Sequence, residues 1–338
     1  MTINIAINGF GRIGRMIFRA AENEKSINIV AVNDLTDTKT LAHLLKHDTV
    51  HGTLKGSISY NSNSITVGKR TFKVIAEKDP TKLPWKALNI DLVVECTGRF
   101  TTPEDAKIHL SRGAKKIILS APFKGEENLP TNAITLVMGV NHSLYNSKKH
   151  TMISNASCTT NCVAPILNVI EKEVGISHCL FTTIHAYTAD QLLVDGPHKD
   201  LRRARAAAQN IIPTSSGADI AVVQAIPSLL GKLKGASMRV PVPDGSVTDF
   251  VIEVKKDTTI ERINQILSAA AKKEYKGIIE YSREDLVSSD IINNPHSTIV
   301  DSKLTQVVDK RFVKIVAWYD NEWGYSNRMI DIIKLVGK

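Results

Sequence analysis

Apolar positions change their period along this 338-residue chain. In the first half, short and largely apolar runs recur at residues 3–8, 27–32, 91–96 and 116–120. Runs of this kind, bounded by turn residues, predict strands buried on both faces of a parallel sheet. Helical spacing follows the first run at 15–20 and returns at 103–111. Residues 58–75 alternate more like antiparallel strands, an insertion into the simple α/β pattern. The last long strand of this half is expected at 134–140. A helix then begins at Cys158 and carries Ile166, Val169, Ile170 and Val174 on one face. Pro165 inside it should bend or locally break it. The second half is richer in strand-like stretches, at 179–184, 237–242, 247–254 and 312–318. An amphipathic helix separates them at 260–272, and a helical tail runs from 322 to 336. Alternating β and α followed by long strands with few helices predicts α/β architecture: a doubly wound domain, then an α+β domain around a mixed, largely antiparallel sheet. There is no internal repeat and no low-complexity segment.

Charge and composition narrow the function. The chain carries 43 Lys and Arg against 34 Asp and Glu, a formal net charge of +9. That balance suits small anionic ligands and also weak, salt-sensitive binding to nucleic acid. No RNP-type aromatic strand or helix-turn-helix signal supports the latter, so nucleic acid is at most a secondary partner. Four cysteines without a CxxC pair argue against a disulfide framework and a structural zinc site, and no metal is expected. No apolar run approaches the ~20 residues of a transmembrane helix. The N-terminus enters a strand at once, without the pattern of a signal peptide. A cytoplasmic enzyme with no membrane partner is the simplest expectation.

Two motifs carry candidate chemistry. The first is Gly9-Phe10-Gly11-Arg12-Ile13-Gly14 between a strand and a helix, followed by Asp34 at the end of the next strand. This is the dinucleotide-binding arrangement. Gly9 makes the tight turn, Gly11 admits the pyrophosphate, and Gly14 allows close helix–strand packing. Asp34 would accept hydrogen bonds from ribose hydroxyls and repel a 2′-phosphate, which favours NAD over NADP. The second motif is Ser154-Asn155-Ala156-Ser157-Cys158-Thr159-Thr160-Asn161-Cys162. Ser157 or its neighbour can cap the helix, which puts Cys158 in the first turn, where free N–H groups favour a thiolate and can hold an oxyanion. His185, at the end of a strand, is the candidate base for this thiol. Thr159, Thr188 and Ser216, with Arg203 and Arg239, could form two anion sites. His43, His47, His51 and His109 are read as structural. The long stretch 186–213, poor in apolar positions, is of the kind that is usually functional.

Several segments together resemble the phosphorylating glyceraldehyde-3-phosphate dehydrogenase family over essentially the whole chain. They are residues 8–15, 154–161, Thr182-Thr183-Ile184-His185-Ala186-Tyr187-Thr188, Arg202-Arg203-Ala204-Arg205-Ala206-Ala207 and Trp318-Tyr319-Asp320-Asn321-Glu322. The resemblance implies a Rossmann-type NAD-binding domain over 1–157 and a catalytic domain over 158–320. A C-terminal helix, about 321–338, would return to the first domain. It implies Cys158 as nucleophile and His185 as its activating base and later acid. NAD contacts would come from Arg12, Ile13, Asp34, Lys78, Ser120 and Asn321, with Asn321 on the nicotinamide carboxamide. Thr188 and Arg239 would bind the phosphate of glyceraldehyde 3-phosphate. Ser157, Thr159, Ser216, Gly217 and Arg203, with Arg202 adjacent, would bind inorganic phosphate. A homotetramer is implied as well. Ser216 stands where the family commonly has threonine, and Asp219 where lysine is frequent. Pro197 after Gly196 is the pattern of NAD-using members. Erythrose-4-phosphate dehydrogenase shares the cysteine, the histidine and the fold. Its relatives tend to lack the Ala186-Tyr187-Thr188 and Ser216-Gly217 pattern that this chain keeps.

Overall fold

The computed structural model describes residues 2–125 and 129–337. The chain divides into two compact units. One comprises Met1–Leu136, His142–Ala156 and Ser326–Lys338, the other Val137–Asn141 and Ser157–Tyr325.

Among the described residues, the first unit is built on nine strands: β1 (Ile3–Asn8), β2 (Ile27–Asn33), β3 (Ile58–Tyr60), β4 (Ser64–Val67), β5 (Arg70–Ile75), β6 (Leu92–Glu95), β7 (Lys116–Leu119), β8 (Ala133–Thr135) and β9 (Met152–Ser154). They lie in the order β3-β4-β5-β2-β1-β6-β7-β9-β8. The stretch β5-β2-β1-β6-β7-β9 is parallel throughout and has the order of a dinucleotide-binding sheet. The helices are α1 (Arg12–Ala20), α2 (Thr38–Lys46), α3 (Pro103–Ala106) and α4 (Ile108–Ser111). The apolar runs form strands because both of their faces are covered: Ile5, Ile7, Val93, Val94, Ile117 and Ile118 have no appreciable exposure.

Three expectations change in detail. Residues 58–75 do alternate as an antiparallel β3-β4-β5 meander, yet β5 pairs in parallel with β2 and so completes the main sheet. The expected helix at 103–111 is two short turns, α3 and α4, that meet at Lys107. The expected strand at 134–140 stops at Thr135. Beyond it the Asn141 side chain accepts from the Val137 N–H (2.8 Å) and Gly139 takes φ of +81°, which closes a turn where a ladder would have continued. The strand position it would have filled, next to β7, is taken by β9.

The second unit opens with α5 (Cys158–Glu173). It continues with β10 (Ile176–Ala186), β11 (Ile212–Ser215), α6 (Ala218–Ala225), β12 (Leu233–Val240), β13 (Ser246–Val254), α7 (Ile260–Lys272), β14 (Ile279–Ser282), β15 (Thr298–Asp301), β16 (Gln306–Val308) and β17 (Phe312–Tyr319); the last helix, α8 (Trp323–Val336), belongs to the first unit from Ser326 on. The strands run β11-β12-β10-β13-β17-β15-β14, with β16 beside β17. Only β10–β12 and β14–β15 are parallel pairs among the described residues, so the sheet is mixed and largely antiparallel. Pro165 does not break α5. Residues 159–170 are all buried, and their packing offsets the one backbone hydrogen bond a proline removes.

Candidate active site

A sharp strand-to-helix turn delivers Cys158. Ala156 takes the left-handed φ of +52°, uncommon for a residue with a Cβ and a conformation found disproportionately at functional sites. Ser157 then caps α5, its Oγ accepting from the Thr160 N–H at 3.1 Å. Cys158 is therefore the first helical residue, half-buried, with the positive end of the helix dipole beneath its sulfur.

His185 comes from β10, one residue before that strand ends. Its Nε2 lies 3.3 Å from Cys158 Sγ. Its Nδ1 lies 2.7 Å from the Ala186 carbonyl oxygen, and Arg239 Nη1 lies 2.7 Å from the same nitrogen and 2.9 Å from the same carbonyl. Arg239 stands opposite His185 in the parallel β10–β12 pairing, which is how the guanidinium reaches the ring. Burial and then the Arg239 charge hold the imidazole down to about 3. Burial pushes the Cys158 thiol up, against Arg239 and Thr159, which favour the thiolate. In the tautomer whose Nδ1–H donates to Ala186, Nε2 presents its lone pair to the thiol.

Tyr319, at the end of β17, packs against His185 and bonds the residue that follows Cys158. Its ring meets His185 edge-on at 5.9 Å, and its hydroxyl lies 3.0 Å from Thr159 Oγ1 and 2.7 Å from Thr183 Oγ1. The segment 318–322 carried the family pattern, but nothing in its residue types pointed to a role for this buried tyrosine. Of the other cysteines, Cys162 and Cys179 are buried, and His185 lies against Cys158. Burial pushes Cys96, Cys162 and Cys179 each up to about 12.

The expected anion residues of the second unit are engaged with one another. Thr188 Oγ1 donates to Asp190, and Arg203 Nη1 reaches the other oxygen of that carboxylate at 2.8 Å. Thr188 and Arg203 thus meet on Asp190, whereas the resemblance pairs Thr188 with Arg239. Although burial pushes the Asp190 carboxyl up, Thr188, Arg203 and Arg239 hold it below the usual range. The cluster of Arg202 and Arg203 resolves into an exposed Arg202 and a half-buried Arg203 that also donates to Thr214 Oγ1. Ser216 Oγ accepts from the Ala218 N–H at 3.2 Å beside Gly217, which leads into α6. Asp219 is buried in the first turn of α6 and faces Lys234 at 3.8 Å, which balances the charge that departs from the family pattern. Asn321 Oδ1 accepts from Ser246 Oγ at 2.6 Å, and Ser246 Oγ accepts from the Ala186 N–H. That chain fixes which way the Asn321 amide faces.

In the first unit, Gly9, Gly11, Asp34 and Lys78 line a cavity of about 340 Å³ at the carboxyl ends of β1, β2 and β6. Each glycine of the fingerprint has its own reason. A Cβ on Gly9 would stand 2.7 Å from the Thr97 nitrogen, and one on Gly14 would stand 2.3 Å from the Gly9 oxygen. Gly11 has nothing within 4 Å of such an atom and precedes α1 without a side-chain cap, which leaves the first-turn N–H groups to an anion. Asp34 is anchored by the Phe10 N–H (2.9 Å) and the Thr36 N–H (3.0 Å), one on each oxygen. These residues fit a dinucleotide. Arg12 is bonded to Asp48, and Ile13 follows it in α1. Ser120 follows β7 and bonds the Cys96 thiol. Thr97, in a loop that the sequence reading places on the ligand side of the sheet, lines the cavity; Asn8, Asn33 and Glu77, also on its wall, are residues that sequence reasoning missed.

Comparison with known proteins agrees with this geometry. Residues 3–103 match the family model for the glyceraldehyde 3-phosphate dehydrogenase NAD binding domain, and residues 157–321 match the C-terminal domain of the same family. The chain is 52% identical over 338 residues to glyceraldehyde-3-phosphate dehydrogenase 2 of Streptomyces avermitilis, covering 100% of this chain and 99% of that one. It is 53% identical over 332 residues to the enzyme of Geobacillus stearothermophilus, covering 98% and 97% of the two chains. Glyceraldehyde-3-phosphate dehydrogenase 1 of Bacillus cereus is 53% identical over 328 residues, with 97% and 96% covered. A strand-to-helix cysteine, a histidine within reach of it and a dinucleotide cavity thus stand in a chain that belongs to the glyceraldehyde-3-phosphate dehydrogenase family of NAD-dependent oxidoreductases.

Proposed function

We propose that Cys158 captures the aldehyde of glyceraldehyde 3-phosphate for oxidation by NAD and that inorganic phosphate releases the product as 1,3-bisphosphoglycerate. The 3.3 Å approach of Cys158 Sγ to His185 Nε2 carries this reading. The thiol proton passes to Nε2 and the thiolate adds to the aldehyde carbon, forming a thiohemiacetal. Its oxyanion takes hydrogen bonds from the Cys158 backbone N–H and from the Nε2–H. NAD, when bound, supplies the hydride acceptor. The oxyanion takes the proton from Nε2 and becomes the hydroxyl; as hydride leaves the carbon, Nε2 takes that proton back, and Cys158 is left as a thioester. Phosphate then attacks the acyl carbon, Cys158 leaves as a thiolate, and the acyl phosphate is released.

The remaining residues follow from what each reaction partner needs. Both substrates are phosphates, so two cationic sites are required. Thr188 and Arg239 serve the substrate, and Ser157, Thr159, Arg203, Ser216 and Gly217 the attacking phosphate. Gly9, Gly11, Arg12, Ile13, Gly14, Asp34, Lys78 and Ser120 form the NAD site, with Asn321 on the carboxamide. On this reading residues 1–157 with the C-terminal helix bind the cofactor, and 158–320 carry the chemistry. A homotetramer is supported by apolar side chains left open: Leu193, Val194 and Leu201 are 84, 75 and 82% exposed, and Leu180 and Val251 project from the large sheet. The cytoplasm is supported by four free cysteines. Among the described residues, no helix is long and apolar enough to cross a membrane.

The test is NADH formation from glyceraldehyde 3-phosphate with and without inorganic phosphate. Sustained turnover should require phosphate and vanish in Cys158→Ser. Faster turnover of erythrose 4-phosphate, independent of phosphate, would move the assignment to that dehydrogenase.

A further inference from the structure

Three strand ends of the first unit carry polar side chains in a single row. Asn8 of β1 stands in register with Asn33 of β2 on one side and Glu95 of β6 on the other. The side chains continue the row as hydrogen bonds. Asn33 Nδ2 donates to Asn8 Oδ1 (2.8 Å), and Asn8 Nδ2 donates to Glu95 Oε2 (2.6 Å). At its outer end the Asn33 amide is fixed by Glu77, whose N–H donates to Asn33 Oδ1 (2.9 Å) and whose carbonyl accepts from Nδ2 (3.0 Å).

The inner end is stranger. Glu95 is 3% exposed, and four neutral donors hold its carboxylate. Besides Asn8 these are the Thr97 N–H (2.7 Å), the Thr97 hydroxyl and His109 Nε2 (3.1 Å). The tautomer of His109 follows from its other side. Trp85 Nε1 lies 3.1 Å from His109 Nδ1, and an indole N–H can only donate. Nδ1 is therefore an acceptor, and the single proton sits on Nε2, pointing at Glu95. Trp85 is itself locked in a core with Ala6, Ala31, Ile90 and Val93. A relay of directed bonds thus runs from the core to Glu95 and out to Asn8 and Thr97.

Asn8 and Thr97 are walls of the NAD cavity, as are Asn33 and Glu77. Asn8 directly precedes Gly9, and the Gly9 turn already abuts the Thr97 backbone. Glu95 holds both sides of this contact, one through each carboxylate oxygen. We infer that Glu95, aimed by His109 and Trp85, is a positioning residue that sets the Gly9 turn against the Cys96–Thr97 loop and so shapes the NAD site. The inference rests on reading that cavity as the NAD site.

Glu95→Gln keeps the size of the side chain but turns one acceptor oxygen into an amide donor. Either orientation of the amide then meets donors, Asn8 and His109 on one side or Thr97 on the other, and leaves buried groups unmatched. Calorimetric titration with NAD should give a Kd raised roughly tenfold or more. With NAD saturating, kcat should fall less than about threefold, because the hydrogen bonds of Glu95 go to Asn8, Thr97 and His109 and not to Cys158 or His185. Trp85→Phe keeps the ring packing and frees His109, and should raise the Kd in the same direction by less. It carries the test if Glu95→Gln does not fold. An unchanged Kd for NAD in Trp85→Phe and Glu95→Gln, even with a lowered Tm, would overturn the inference, provided Asp34→Ala weakens NAD in the same assay. If Asp34→Ala also leaves the Kd unchanged, the reading of the cavity fails first and the inference falls with it.

Discussion

Arg203 Nη1 lies 2.8 Å from Asp190 Oδ2, and the other oxygen of that carboxylate accepts from Thr188. Two groups expected to bind phosphate are therefore held by an internal anion. The bridge is partly open to water, with the Asp190 side chain 45% exposed, and such pairs contribute about 1 kcal/mol or less. A phosphate making charge-assisted, bidentate bonds to Arg203 can displace it. Asp190→Asn should therefore lower the KM for inorganic phosphate, by up to about fivefold, the ratio that ~1 kcal/mol supports. Initial rates against phosphate at saturating aldehyde and NAD measure this. A raised KM would mean that Asp190 orients Arg203 for phosphate and does not compete with it.

On the proposed reading, Asp34 sets the choice of cofactor. Its two backbone bonds leave the carboxylate fixed at the cavity wall, so it cannot swing away from a 2′-phosphate. Bringing like charges together in such a site costs several kcal/mol. The ratio of kcat/KM for NAD over NADP should exceed roughly a hundredfold and shrink by at least tenfold in Asp34→Ala. Equal efficiency with both cofactors in the unaltered enzyme would contradict this.

Asp244 gives the fold a pH dependence of its own. It is 2% exposed, and burial first, then the neighbouring Asp320, push its carboxyl up to about 10. Asp320 cannot move off, because it accepts from the backbone N–H groups of Asn293, Glu322 and Trp323. The folded chain thus keeps a proton that the unfolded chain releases above about pH 4. The native state binds more protons across this window, so stability falls as pH rises, by at most ~1.4 kcal/mol per pH unit from this group. Asp244→Asn has no proton to lose. Its urea midpoint should decline less between pH 5.5 and 8.5 than that of the unaltered chain. Parallel declines would show that Asp244 is ionised in the fold.

Much of this was legible in the sequence because it rests on local rules. A glycine fingerprint between a strand and a helix has one geometry, and Gly9 and Gly14 meet backbone atoms as that geometry requires. A serine before a helix caps it, and Ser157 does. What escaped depended on competing side-chain bonds or on tertiary partners. The strand expected at 134–140 lost to the turn that the Asn141 side chain closes, and an apolar run does not reveal such a competitor. The break expected at Pro165 lost to burial contributed by elements that follow it. His109 looked structural, and only its placement between Trp85 and Glu95, 24 and 14 residues away, gives it a direction. The thiol was expected to favour its charged form, but burial works against the charge on it, as it does on the imidazole.

That opposition defines the most direct measurement. Moving the thiol proton to His185 creates opposite charges 3.3 Å apart. Their attraction is about 5 kcal/mol at an effective dielectric constant near 20. The two groups therefore titrate as a pair, and the thiolate appears together with the imidazolium. The rate of Cys158 alkylation by iodoacetamide should rise with pH in two steps, the lower belonging to the pair and the upper to loss of the imidazolium proton. In His185→Asn the lower step should vanish, leaving one alkaline step at or above the ordinary thiol value, because burial pushes the lone thiol up. The rate at neutral pH should then fall at least tenfold, to about the reactivity of an unassisted thiol. Superimposable profiles for the two proteins, or alkylation found first on Cys162, would contradict the account of Cys158 and His185 as one chemical unit.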